Sequence, residues 1–134
     1  MNPTHEKTPK IAFVCVGNTS RSQMAESWAR KILGDRAEIF SAGTRPGSGI
    51  KDLTKSLMAD VGCSMEGQSP SPLADLPQGL DWLVLMGEGV DCPPLGEKNR
   101  LDWGFPDLDG TDIEALTRMR DEIGGKVREL AVFI

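Results

Sequence analysis

Residues 14–26 read VCVGNTSRSQMAE and place Cys15 at the end of an apolar run. Val16, Gly17, Asn18, Thr19 and Ser20 follow, and Arg21 and Ser22 stand where a helical pattern begins. A turn of this length wraps one small anion, and Gly17 and Asn18 tolerate left-handed or strained dihedrals. The N–H groups of residues 16–21, joined by those that open the following helix, form a nest for a tetrahedral oxyanion. Arg21 adds a planar fork that binds two oxygens at once, which a lysine cannot copy. The same field favours the Cys15 thiolate over the thiol, and Ser22 is placed to hydrogen-bond the sulfur. The chemistry open to such a set is attack by sulfur on the bound anion, with a covalent thio-adduct as intermediate. The Cys–x5–Arg spacing alone is weak evidence, because arginine is a common residue. The strand before it, the turn within it and the helix after it make the signal specific.

The elements that must hold this loop are legible. KIAFVCV (10–16) is a buried strand rich in β-formers. Met24, Ala25, Trp28, Ile32 and Leu33 recur at helical spacing until Gly34. AEIFSAG (37–43) reads as a second strand, and Ile50, Leu53, Leu57, Met58 and Val61 as a second helix ending at Gly62. After a turn-rich stretch with Pro70, Pro72 and Pro77, LDWLVLM (80–86) is a third strand, and LDWGF (101–105) a short fourth. Thr111 and Glu114 form a capping box for a closing helix carrying Ile113, Leu116, Ile123, Val127 and Leu130. Gly124 and Gly125 predict a kink or an early end in it. Alternating strands and helices imply a single-domain α/β fold with a parallel sheet, Cys15 lying on the ligand-binding edge of the strand C-termini.

Composition sets the class. The chain has 134 residues, 39% apolar and 26% charged, with a net charge of −5. That is one soluble domain, and the negative balance argues against a nucleic-acid binder. MNPTHEKTP (1–9) reads as a flexible tail preceding a catalytic domain over 10–134, with neither a signal-peptide core nor a membrane span in the sequence. Three cysteines do not form a disulfide framework and fit a reducing cytoplasm. His5 is the only histidine, so no metal site is expected. Cys63, Trp28, Trp82 and Trp103 read as core residues, and a monomer is expected.

FVCVGNTSRSQMAE resembles the phosphate-binding loop shared by low-molecular-weight protein tyrosine phosphatases and the arsenate reductases built on that fold. SAGT (41–44) resembles the end of that family's second strand, and WGFPDLDG (103–110) its catalytic aspartate loop. The resemblance implies a four-stranded parallel sheet flanked by helices. It makes Cys15 the nucleophile, Arg21 the oxyanion clamp, Asn18 and Ser22 supports of the loop and thiolate, and Asp107 the general acid. A leaving oxygen needs a proton, which a carboxyl there can supply; Asp109 is a rival for the same role.

Two reactions share the first step. A phosphatase lets water hydrolyse the phosphocysteine, whereas a reductase brings a second thiol onto the sulfur, so that arsenite leaves and a disulfide forms. Gln23, CPPL at Cys92 and DWGF at Trp103 resemble the reductases, and the chain has no tyrosine to hold a phosphotyrosine ring. Met86 stands where thioredoxin-coupled reductases carry the first of two cysteines, and Ser20 replaces a cysteine that many relatives have before the arginine. Cys92 is thus either a redox thiol or an inert one. The expected reading is an arsenate reductase that needs no cofactor beyond an outside thiol, from glutathione, mycothiol, glutaredoxin or thioredoxin. A phosphomonoesterase is the alternative, and an oxyanion-binding carrier a third reading.

Overall fold

The computed structural model describes residues 8–108 and 110–134. The expected tail over 1–9 lies outside them apart from Thr8 and Pro9, and so do His5 and Asp109. The elements run β1 (Lys10–Cys15), α1 (Arg21–Leu33), β2 (Glu38–Gly43), α2 (Asp52–Ala59), β3 (Trp82–Gly87), β4 (Asn99–Phe105) and α3 (Ile113–Ala131). The sheet order is β2-β1-β3-β4 and every pairing is parallel. β1 therefore lies inside the sheet, with its last residue, Cys15, paired to Gly43.

β1 is apolar on both faces because both are covered, as parallel strands require. Ile11, Phe13 and Cys15 join one cluster with residues of α1, α2 and α3. Ala12 and Val14, pointing the other way, join Leu80, Leu83, Leu85 and Cys92, backed by Leu73, Leu76 and Leu95. The three helices thus cover one face, and the irregular segments around 73–80 and 90–95 cover the other. Ile11 and Phe13 are fully buried, each burial stabilising the fold by about 1.5–3 kcal/mol.

The closing helix departs from expectation twice. It runs unbroken through Gly124 and Gly125. The reason is the packing of α1 on α3: a Cβ on Gly124 would come within 2.7 Å of Trp28 Cε2. Trp28 fills that space, donates from Nε1 to the Arg120 carbonyl at 3.0 Å and carries the Arg128 guanidinium over its ring. This close fit offsets the low helix propensity of glycine. Its cap is Asp112, not Thr111, the carboxylate accepting from Ala115 N at 3.0 Å; a negative charge also suits the helix N-terminus better than a hydroxyl. Trp103 packs on Phe13 and Phe105, with centroids 5.6 and 6.4 Å away, and so belongs to the core.

Candidate active site

The turn between β1 and α1 is wired so that its carbonyls face outward. Cys15 O accepts from Thr44 N, Val16 O from Arg45 N, Gly17 O from Gly47 N, and Thr19 O from Lys51 N. Asn18 O accepts from Gln23 Nε2 at 3.0 Å, and Ser20 O from Met24 N. With every carbonyl from 15 to 20 engaged outside the turn, the N–H groups are left to face its centre, the polarity an anion requires. The segment after β2 supplies most of these bonds, because Cys15 and Gly43 are register partners.

At the base of the turn, Cys15 Sγ lies 2.8 Å from Ser22 Oγ and accepts from Asn18 N at 3.2 Å. Asn18 adopts φ 55°, the left-handed conformation that asparagine tolerates better than other side chains. Its amide donates to Ser22 Oγ at 2.7 Å and to Ser41 Oγ at 3.0 Å, while Oδ1 accepts from Ser71 N at 2.8 Å. Ser41 in turn donates to Glu26 Oε1 at 2.6 Å, and the other oxygen of that buried carboxylate meets Arg30 at 2.8 Å. Gln23, fully buried, accepts from Gln68 Nε2 at 2.8 Å. A continuous polar chain thus runs from Arg30 to the Cys15 sulfur. Ser41, Glu26 and Gln68 were not among the residues singled out from sequence, although Ser41 and Glu26 fall inside the stretches that carried the resemblance.

Arg21 is 4% exposed and donates from Nη1 to the Phe105 carbonyl at 2.9 Å. Nη2 lies 3.9 Å from Asp107 Oδ1, and the Asp107 side chain is 64% exposed. That contact brings the expected acid to the loop across the sheet edge. The approach depends on Gly87 at the end of β3: it adopts φ 128°, and a Cβ there would overlap Phe105 N and O. Cys15, Gly17, Thr19, Ser20, Arg21, Lys51, Asp107 and Leu108 line a cleft of about 30 Å³. A larger opening of about 610 Å³ between α2 and residues 62–68 lies away from Cys15. Among the described residues no cluster of His, Cys, Asp and Glu could hold a metal, and no helix is long and apolar enough to cross a membrane.

Cys92 is not brought to this cleft. It is buried in the cluster on the opposite face of the sheet from Cys15. Arg100 donates from Nη1 to its carbonyl and from Nη2 to that of Pro93, both at 2.9 Å, while Nε holds Glu97 at 2.7 Å. Glu97 closes the clamp by accepting from Leu95 N at 2.8 Å. Burial pushes the Cys92 thiol above its ordinary range, despite Arg100 nearby. Burial alone would raise Glu97 too, but the Arg100 and Leu95 hydrogen bonds outweigh it and hold its carboxyl low. Cys63 is buried in the helix-side core, and burial raises its thiol as well.

Residues 10–133 match the family model described as low molecular weight phosphotyrosine protein phosphatase. An arsenate reductase of Brevibacillus brevis is 35% identical over 130 residues, covering 94% of this chain and 96% of that protein. A solved arsenate reductase in a phosphate-binding state superposes with a TM-score of 0.86 at 28% identity, over 94% of this chain and 98% of the other. A thioredoxin-dependent arsenate reductase of Corynebacterium glutamicum gives a TM-score of 0.76 at 31% identity, over 92% of this chain and 60% of that one. The chain belongs to the low molecular weight phosphotyrosine protein phosphatase family.

Proposed function

We propose that this family member is a thiol-dependent arsenate reductase. In this reading Cys15 is the nucleophile, the amides of residues 16–21 and the Arg21 guanidinium hold the anion, and Ser22 supports the sulfur as attacker and later as leaving group. The Cys15 thiolate attacks arsenic of a bound hydrogen arsenate, an As–S bond forms, and the opposite oxygen leaves as water after taking a proton from Asp107. A second thiolate then attacks Cys15 Sγ. The As–S electron pair passes to arsenic, reducing As(V) to As(III); arsenite leaves and a disulfide forms between Cys15 and the incoming thiol. A further thiol, in exchange, releases Cys15 and carries away the oxidised pair.

One observation carries the choice of loop chemistry: the Cys15 sulfur touches both a backbone N–H and the Ser22 hydroxyl in a cleft that Arg21 and Asp107 also line. The choice of arsenate is supported by the Brevibacillus relative, named an arsenate reductase, and by Leu108 standing beside Asp107 at the rim where a phosphotyrosine enzyme needs aromatic rings. Because Cys92 is pinned on the far face, the resolving thiol comes from outside: thioredoxin, glutaredoxin or a low-molecular-weight thiol such as glutathione or mycothiol. The reaction then needs no bound cofactor and suits a monomer in the cytoplasm. Met86 and the Arg21–Asp107 pair also fit a phosphomonoesterase with a phosphocysteine intermediate, which is the second reading.

The test gives purified protein arsenate with each thiol system and, separately, p-nitrophenyl phosphate. Arsenite production that is lost in Cys15→Ser and kept in Cys92→Ser supports the proposal. Ester turnover with no arsenite under any reductant overturns it in favour of the second reading.

A further inference from the structure

Lys51 is the residue before α2, a place usually taken by Ser, Thr, Asp or Asn because a side-chain oxygen there bonds the helix's first amides. Lysine cannot do that, and no side-chain cap is made. Its backbone is instead fastened to the anion loop, Lys51 N donating to Thr19 O at 3.3 Å. Behind it, Thr54 Oγ1 meets Ser20 Oγ at 3.1 Å, fixing the start of α2 against the same loop. The side chain then lines the cleft with Cys15, Arg21, Asp107 and Leu108. Its Nζ reaches the segment just beyond Asp107, where a Cβ on Gly110 would lie 3.8 Å away. Among the described residues its ammonium makes neither an ion pair nor a hydrogen bond.

An in-line displacement fixes what this ammonium meets. Sulfur attacks from the floor, so the oxygen that departs points away from Cys15, toward the mouth where Asp107 and Lys51 stand. In a free inorganic oxyanion that fourth position is a charged or protonated oxygen; in a monoester it is a carbon-bearing oxygen. We infer that Lys51 is a specificity residue, selecting the free inorganic oxyanion over its organic esters and phosphonates by pairing with the outward oxygen. The inference rests on the proposed use of the cleft for tetrahedral oxyanions. It deepens that reading by naming the substrate class as inorganic.

The test uses binding, so that it does not depend on reductase turnover. Calorimetry measures inorganic phosphate and phenylphosphonate on the wild-type protein and on Lys51→Gln, Lys51→Glu and, as a control, Lys55→Gln one turn along α2. The expected result is a phosphate Kd raised about five- to tenfold by Lys51→Gln and further by Lys51→Glu, with phenylphosphonate changed by less than about threefold. The phosphate effect should shrink as salt is raised. Equal losses for both ligands, or no loss for either, overturn the role of Lys51. A wild-type protein that binds phosphate normally but makes no arsenite under any thiol system overturns the proposed activity and leaves the Lys51 comparison readable. Circular-dichroism melts confirm that each variant is folded.

Discussion

Arg21 and Phe105 are joined across the top of the sheet by one hydrogen bond, guanidinium Nη1 to carbonyl at 2.9 Å, between residues 84 apart in sequence. The bond fixes how the guanidinium is presented to the cleft it lines. It also ties the β4 end, and with it Asp107, to the α1 start.

Gly87 makes that bond possible, so Gly87→Ala should break it. A Cβ there meets Phe105 N and O, and alanine in the left-handed half of the map adds strain of about 1–2 kcal/mol. The expected outcome is a loss of about 2 kcal/mol or more in urea unfolding, together with at least about tenfold weaker phosphate binding. A variant that binds phosphate like the wild type would show that the Phe105 carbonyl does not position Arg21.

Asn18→Ala removes donors to Ser22 and Ser41 and leaves Ser71 N without its acceptor. With the left-handed conformation also less favourable, destabilisation of about 2–4 kcal/mol is expected. The turnover number should fall by about tenfold or more, because the Cys15–Ser22 contact loses its anchor. Steady-state kinetics at saturating arsenate, with unfolding curves, check both; unchanged turnover would mean the Asn18 chain serves folding alone.

Cys92 should react slowly. Burial raises its thiol, so at pH 7 less of it is thiolate than in free cysteine, and its neighbours are clamped by Arg100. Mass spectrometry after brief iodoacetamide treatment should find Cys92 unmodified in the native protein. In Arg100→Ala, which frees the Cys92 and Pro93 carbonyls, labelling should rise severalfold. Rapid labelling of the unaltered protein would remove the argument for an external resolving thiol.

Stability should fall off at both ends of the pH range. Cys63 and Cys92 are raised by burial, so the folded state holds protons that the unfolded chain releases. Their contribution is complete below about pH 8.5 and is lost as pH rises through the folded values. Burial alone would raise Asp81, but its bonds to the Lys10 amide and Lys98 outweigh that and lower it; Glu97 is also low. Their stabilisation is present above about pH 4 and disappears as pH falls through the lowered values. Urea midpoints from pH 3 to 10 check the shape. Asp81→Asn should flatten the acid limb, and an unaltered limb would assign it elsewhere.

The strands and helices were legible because burial imposes periodicity: β1 needs apolar residues on both faces, and α1 shows Met24, Ala25 and Trp28 on one. The turn between β1 and α1 was legible because Asn18 answers a local demand, a left-handed dihedral. What escaped depended on partners distant in sequence. Gly124 looks like a helix breaker until Trp28 is found against it. Lys51 looks like an ordinary surface charge until its backbone is seen bonded to Thr19. Cys92 could not be placed because the choice of sheet face rests on how residues 88–98 return to β4, and that return is held by Arg100 and Glu97.

The outward wiring of the carbonyls at 15–20 has a thermodynamic consequence. A turn whose carbonyls are all bonded to the scaffold has its shape set at folding, so an arriving oxyanion has little backbone to order. The conformational entropy of ordering those residues was met once, at folding. Discrimination among tetrahedral anions then falls to size, charge and the groups at the rim rather than to any induced closure.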